Sequence, residues 1–200
     1  MGILYCSGMP LDPDIAMLIV EIDANWSHAE SITAGLSPDQ FVWRPGPGCW
    51  SIGECFAHLN ITNNFSLPAL EAGIAKGRAK GKTGQGPFEY GFFTKKFIAS
   101  QEPPAKKKFK APKVFLPPAE LDRDAVLAEY RRLSNELKRL ARDADGLHLA
   151  RVKVEMPALP PALRAFVRIP LGGQLHLTTT HDRRHLSQAE RVRNDPAFPK

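Results

Sequence analysis

The stretch Leu171-Gly-Gly-Gln-Leu-His-Leu-Thr-Thr-Thr-His181-Asp-Arg-Arg-His185-Leu-Ser-Gln188-Ala-Glu-Arg-Val192 decides the fold of this chain. If the stretch is helical, a turn of about 100° per residue places its apolar and small residues on one broad face, together with His181 and His185. Imidazoles four residues apart lie about one turn apart, which is the spacing needed to share a divalent metal. A third ligand must then come from another part of the chain.

Three other polar residues of this helix receive different predictions. Gln188 lies one turn beyond His185 on the inward side, where it can hydrogen-bond an imidazole or a substrate. Asp182 lies at the edge of the inward face and can orient a ligand histidine, but an exposed salt bridge with an arginine is the more common arrangement. His176 lies about 180° from His185, so we expect it to face solvent and exclude it as a ligand.

Local signals predict three further long helices. The first begins at Asp12-Pro13, an N-cap followed by proline at the first helical position, and ends near Gly35. The second begins with the capping box Ser51-Ile-Gly-Glu54 and extends to about Lys76. The third covers about residues 118–145 and carries the clearest amphipathic stripe in the sequence.

Four long helices without strand alternation or an internal repeat predict an all-α fold, an antiparallel four-helix bundle. The 200 residues suffice for one domain with a substantial core, so we expect a single domain over residues 1–200. Residues 1–11 and 195–200 are predicted to be tails. Residues 147–170 contain four prolines and are predicted to form a loop.

Residues 76–118 form a predicted basic insert between the second and third helices. Its residues 76–113 contain eleven Lys or Arg and two acidic residues, a net charge of +9, whereas the whole chain carries +6. The aromatic residues between 88 and 98 predict a short docked helix, and the glycine-rich start predicts a mobile loop. A solvated loop is the common explanation of such a segment, but phosphate contact with nucleic acid or attraction of an anionic substrate stays open.

Composition and termini narrow the class of protein. Three widely spaced cysteines do not suggest a disulfide framework and fit a reducing compartment, so a cytoplasmic location is expected. The N-terminus lacks the basic start and apolar run of a signal peptide. No stretch approaches the roughly 20 apolar residues of a membrane span.

His58 is the predicted third ligand, because its position on the second helix points inward. Helical bundles build metal sites from side chains of facing helices, and three neutral imidazoles leave a coordination position open, as in catalytic zinc sites. Burying three imidazoles without partners costs about 1–3 kcal/mol each, which a metal would offset. Two helical histidines can also be ordinary polar surface.

Two neighbours of His58 have alternative interpretations. Glu54, one turn before it, is the best candidate for a catalytic acid or base, and its structural alternative is the capping box. Cys55 can be a fourth ligand or a redox thiol, but buried core packing is the more common role of a cysteine in this setting.

Two motifs resemble the DinB-like superfamily, which includes the YfiT-like metal-dependent hydrolases: Trp43-Arg-Pro-Gly-Pro-Gly-Cys-Trp-Ser-Ile-Gly-Glu-Cys-Phe-Ala-His58-Leu and His181-Asp-Arg-Arg-His185-Leu-Ser-Gln188. The resemblance implies that His58, His181 and His185 hold a divalent metal, often nickel or zinc. It also implies water or a low-molecular-weight thiol as the activated group, because family members include hydrolases and thiol S-transferases.

Two functions are therefore expected. The first is a metal-dependent enzyme, of hydrolase or thiol S-transferase type, that acts on a small-molecule substrate and forms a homodimer. The alternative is a binding module without catalysis, stabilised by its metal, whose basic loop at 76–113 engages nucleic acid or an acidic partner.

Overall fold

The computed structural model describes residues 10–104, 110–156 and 167–200, and these residues are mostly helical. The helices are α1 (Pro13–Thr33), α2 (Pro38–Val42), α3 (Ile52–Ala79), α4 (Phe92–Gln101), α5 (Arg123–Asp143) and α6 (Leu171–Arg193). A 3₁₀ turn, Lys113–Phe115, precedes α5, and two strands, β1 (Lys153–Glu155) and β2 (Arg168–Pro170), precede α6.

The predicted helix starts are confirmed at their caps. The Asp12 side chain accepts a hydrogen bond from the Asp14 amide at 2.9 Å, with Pro13 at the first helical position of α1. At the start of α3, the Glu54 amide donates to Ser51 Oγ at 3.1 Å and the Ser51 amide donates to Glu54 Oε2 at 2.9 Å. Each bond satisfies a backbone donor that the first helical turn leaves without a partner.

The four long helices pack in pairs. Helix α3 contacts α5 and α6, and α1 contacts the same two helices. Their buried faces contribute to two apolar clusters, one around Ile15, Leu70 and Leu137 and one around Phe56, Tyr130 and Leu186. Helix α6 contacts α1, α3 and α4, and most residues of its first two turns are buried.

The segment between α3 and α5 comprises residues 80–122, and its glycine-rich start makes hydrogen bonds to other parts of the chain. Helix α3 continues to Ala79, and the amides of Gly86 and Phe88 donate to the carboxylates of Asp12 and Asp14. The predicted short helix is present as α4, which contacts α6. Side-chain carboxylates at the start of α1 thus accept hydrogen bonds from two backbone amides of this start, and its mobility stays a prediction. Residues 105–109 of the predicted insert lie outside the described residues.

Two other expectations need correction. Strands β1 and β2 pair antiparallel in the predicted 147–170 loop, and were missed because three-residue strands are too short to show a period of two. The predicted tail at 195–200 packs on the chain, with the Phe198 ring 5.4 Å from the Trp43 ring. Residues 1–9 of the predicted N-terminal tail and residues 157–166 lie outside the described residues.

Gly73 allows β1 to pack closely against α3. A Cβ atom at this position would lie 2.2 Å from Val154 Cγ1, and Val154 is buried. We expect Gly73→Ala to lower the free energy of unfolding by about 1–3 kcal/mol, even though alanine is the better helix former. Urea unfolding measures this change.

The additional Val154→Ala substitution tests the cause of that loss. The double variant should lose less stability than the sum of the two single variants, because the smaller side chain removes the overlap. Additive losses would show that the contact with Val154 is not responsible. Gly46→Ala is a control, since no atom lies within 4 Å of a Cβ at that position.

Within the described residues, no helix combines the length and the apolar character that a membrane crossing needs.

Candidate metal centre

The three predicted histidines lie together between α3 and α6. Ligand nitrogens of His58, His181 and His185 all lie within 4.8 Å of one another. The ring centroids are 5.3 Å apart for His58 and His181, 4.6 Å for His58 and His185, and 4.7 Å for His181 and His185. One divalent ion could be held by this cluster, because each ring offers a nitrogen toward the same space.

Hydrogen bonds fix two of the three imidazoles. His58 Nδ1 donates to the backbone carbonyl of Phe115 at 2.7 Å, and His185 Nδ1 donates to Gln188 Oε1 at 3.1 Å. In both rings Nδ1 must carry the hydrogen, since its partner is an oxygen that accepts. The lone pair is therefore on Nε2, which is the arrangement that metal-binding histidines show when their other nitrogen donates.

Burial keeps the cluster uncharged. It lowers the pKa of His58, against a smaller opposite effect of the Phe115 carbonyl. The pKa of His181 falls to about 3 through burial first, then through the neighbouring His58 and Arg184. Burial holds the pKa of His185 well below its ordinary value, and the neighbouring His181, His58 and Arg184 lower it further. At neutral pH all three rings are neutral and have a lone pair available for a metal.

Trp50 forms an aromatic wall beside the cluster. Its ring lies 4.9 Å from the His58 ring and is stacked 5.7 Å from the His185 ring. Trp50 lies in the loop before α3. In the sequence, this place beside His58 is indicated by the position of Trp50 directly before the Ser51 cap, two helical turns from His58.

Glu54 is engaged in the structural role. Oε2 accepts from the Ser51 amide and from Arg44 Nε at 2.7 Å, and Oε1 accepts from Arg44 Nη2 at 2.5 Å. The capping-box interpretation is confirmed. A catalytic role of Glu54 stays a prediction, and both of its oxygens are occupied in this arrangement.

Glu54→Gln separates the two roles. We expect a loss of about 1–2 kcal/mol in the free energy of unfolding, because glutamine carries no charge to pair with the exposed Arg44 and offers only one oxygen to its guanidinium and the Ser51 amide. The affinity for divalent metal should stay within about threefold of wild type. A large loss of metal affinity in isothermal titration calorimetry would contradict a purely capping function.

The predictions for Gln188 and Asp182 differ in how well they agree with the structure. The predicted hydrogen bond from an imidazole to Gln188 is confirmed. The exposed salt bridge predicted for Asp182 is wrong, because α6 places this carboxylate in the interior, where the Asn63 amide donates to its two oxygens at 3.2 and 3.4 Å. These bonds go to Asn63 rather than to an imidazole, so the proposed orientation of a histidine by Asp182 has no support among the described residues.

Burial raises the pKa of Asp182 to about 7, against smaller opposite effects of Asn63 and the Tyr130 hydroxyl. The Tyr130 hydroxyl is close enough to act on this carboxylate, but it makes no hydrogen bond of normal length and angle within the described residues. Near neutral pH this carboxyl is therefore divided between its neutral and its ionised form, because burial disfavours the charge.

His176 and Cys55 both lie outside the ligand cluster. His176 lies outside the cluster, as predicted, but it does not face solvent: the Tyr90 ring packs edge-on against it at 6.0 Å. The segment before α4 covers this face of α6, and a helical wheel cannot show such a tertiary contact. Cys55 is fully buried in the second apolar cluster, which confirms the core interpretation.

These features define a helical protein with three neutral histidines that could bind one divalent ion. The chain belongs to the DinB superfamily, whose profile matches residues 21–189. This confirms the resemblance found in the sequence motifs. No curated protein and no solved structure matches the chain.

Proposed function

We propose that the chain is a metal-dependent enzyme, of hydrolase or thiol S-transferase type, with His58, His181 and His185 as ligands of a divalent zinc or nickel ion. The observation that carries this proposal is the convergence of three nitrogens within 4.8 Å. Two of the rings are held in the tautomer that leaves Nε2 free. Three protein ligands leave a coordination position for a reactant.

The fold favours this role because each ligand histidine lies on a long helix. We propose that α1, α3, α5 and α6 form an antiparallel four-helix bundle, since each of these helices contacts two of the others. His58 is then supplied by one helix and the histidine pair by a facing helix. Sites on regular elements hold their side chains more accurately than sites on loops.

Each residue around the centre has a separate function in this proposal. Gln188 and the Phe115 carbonyl orient imidazoles, and Trp50 excludes water from one side of the two rings it contacts. Arg184 contributes positive charge, as its effect on His181 and His185 shows. A bound divalent ion would supply a Lewis acid that lowers the pKa of water or of a small thiol. A reactant that binds as an anion is favoured by this charge.

Metal analysis of the purified protein tests the proposal. We expect close to one divalent ion per chain after loading, and loss of that ion in His58→Ala. A wild-type protein that binds neither zinc nor nickel with a dissociation constant below about 1 mM would disprove it. Cobalt substitution then divides the two chemistries: a spectrum that changes with a low-molecular-weight thiol such as bacillithiol favours thiol transfer, and an unchanged spectrum favours water activation.

A basic cleft favours a second candidate function, a binding module for nucleic acid or an acidic partner. Its volume is about 610 Å³, and its charged lining residues are Lys82, Arg151 and Lys153. His148 also lines it, and the His148 amide donates to the Lys82 carbonyl at 2.9 Å, which fixes the two walls relative to each other. The cleft lies just beyond the C-terminal end of α3, at Gly81 and Lys82. This end of the helix is 21 residues, or about 30 Å, from His58.

Charge reversal in the cleft tests this alternative. We expect the double substitution Arg151→Glu and Lys153→Glu to weaken binding of a short duplex or single-stranded oligonucleotide by more than about tenfold, with a smaller salt slope. Lys96→Glu with Lys110→Glu is the control, because it changes the net charge equally at exposed positions outside the cleft. Equal losses in both variants, or no binding by the wild type, would remove the cleft as a binding site.

A further inference from the structure

The segment between α3 and α5 contacts both metal-site helices. On the α3 side, the Phe115 carbonyl accepts the hydrogen bond from His58. On the α6 side, Arg184 donates to the Ser100 carbonyl at 3.0 Å and Arg183 donates to Glu102 at 3.1 Å. Both arginines lie between His181 and His185 in the sequence. The segment predicted as a basic loop is therefore part of the surroundings of the candidate centre.

The Phe115 side chain anchors the point of contact with α3. The residue is 6% exposed, and its ring packs edge-on against the Phe65 ring at 5.4 Å. Backbone bonds close the 3₁₀ turn around it, from the Phe115 amide to Pro112 at 2.9 Å and from the Leu116 amide to Lys113 at 3.2 Å. The carbonyl that faces His58 is thus held in place by a buried ring and a closed turn.

This carbonyl determines which nitrogen of His58 is available. A carbonyl can only accept, so it keeps the hydrogen on Nδ1 and the lone pair on Nε2, and it also sets the rotation of the ring. Removal of such a partner from a metal-binding histidine typically lowers metal affinity 10–100-fold. No other hydrogen bond to the His58 ring is present among the described residues.

We propose that Phe115 is a positioning residue for the metal centre: its buried ring holds the 113–115 turn so that its carbonyl fixes His58, and metal binding is coupled to the docking of this turn. The inference rests on the proposed metal site. In this proposal the segment between α3 and α5 is part of the metal centre, because its Phe115 carbonyl orients a ligand. Coupling of this kind is reciprocal, so bound metal must also stabilise the docked turn.

Substitution of the anchor tests the inference. Phe115→Ala should lower the affinity for zinc 10–100-fold in competition with a chromophoric chelator, and Phe115→Leu should recover most of the loss because it refills the site. Val114→Ala is the matched control, since Val114 belongs to the same turn but is 59% exposed. Its zinc affinity should stay within about twofold of wild type.

Nitrogen-15 spectra of the histidine rings supply a readout that a merely structural role would not change. In metal-free wild type, His58 should be in the form with hydrogen on Nδ1, whereas Phe115→Ala should show a mixture of the two tautomers. The same single form in both proteins would overturn the inference.

Hydrogen exchange of the wild type keeps the inference testable even if Phe115→Ala does not fold. Zinc should slow exchange of the Phe115 and Leu116 amides, and unchanged exchange on zinc binding would overturn the proposed coupling. If the wild type binds neither zinc nor nickel, the proposed function itself fails. If wild type and Phe115→Ala bind zinc equally, the metal site stands and the role of Phe115 is disproved.

Discussion

Replacement of His181 by alanine is expected to lower the affinity for zinc or nickel by more than about a hundredfold. His181 supplies one of three nitrogens that lie within 4.8 Å of one another, and no acidic or cysteine ligand joins this cluster among the described residues. Apparent binding energies of zinc sites are roughly 10 kcal/mol or more, so loss of one ligand in three removes about 3 kcal/mol or more. Isothermal titration calorimetry with a competing chelator measures the change.

His176→Ala is the matched control for this prediction. His176 lies on the same helix, one and a half turns before His181, and its ring packs against Tyr90 outside the cluster. Its replacement removes an imidazole of similar burial, so we expect a metal affinity within about threefold of wild type. Equal losses in the two variants would indicate a general disturbance of α6, and no loss in either would show that the cluster is not the metal site.

The parts of the fold that were predicted correctly depend on local sequence signals. The cap at Asp12 and the capping box at Ser51 determine where α1 and α3 begin, and both are read directly from side-chain chemistry. The histidine pair on α6 was predictable because a spacing of four residues fixes the relative direction of two side chains. His58 could be added because the positions around it gave its helix an inward face.

The remaining features depend on contacts between distant segments. The partner of His58 is a backbone carbonyl of Phe115, 57 residues away, and any residue type can supply a carbonyl. The cover over His176 comes from Tyr90, and the burial of Asp182 depends on Asn63. A helical wheel shows the direction of a side chain, but it cannot show which other element occupies that direction.

The metal-free protein should lose stability as the pH falls from 7.5 to 4.5, because its buried histidines bind protons more weakly in the folded than in the unfolded state. The pKa of His181 falls from 6.5 to about 3 on folding. Its contribution is fully present above pH 6.5 and is lost progressively toward pH 3. Between pH 6.5 and 4.5 this group alone accounts for about 2–3 kcal/mol. His58 and His185 act in the same direction.

Asp182 opposes this trend. Its folded pKa of about 7 is higher than its ordinary value of 3.8, so the folded state binds the proton more tightly and gains stability as the pH falls through this interval. The gain by pH 4.5 is about 3 kcal/mol at most. Three histidines act against one carboxyl, and we therefore expect a net loss of stability on acidification.

Two variants separate these contributions in urea unfolding with a chelator present. His181→Gln should show a shallower decline than wild type, because glutamine does not titrate. Asp182→Asn should be more stable than wild type at pH 7.5 and similar to it at pH 4.5, which makes its decline steeper. Parallel pH profiles for all three proteins would mean that exposed groups, rather than these buried ones, control the acid sensitivity. Added zinc should restore stability above about pH 6, where neutral imidazoles are available, and should have little effect at pH 4.5 because protons compete for the same nitrogens.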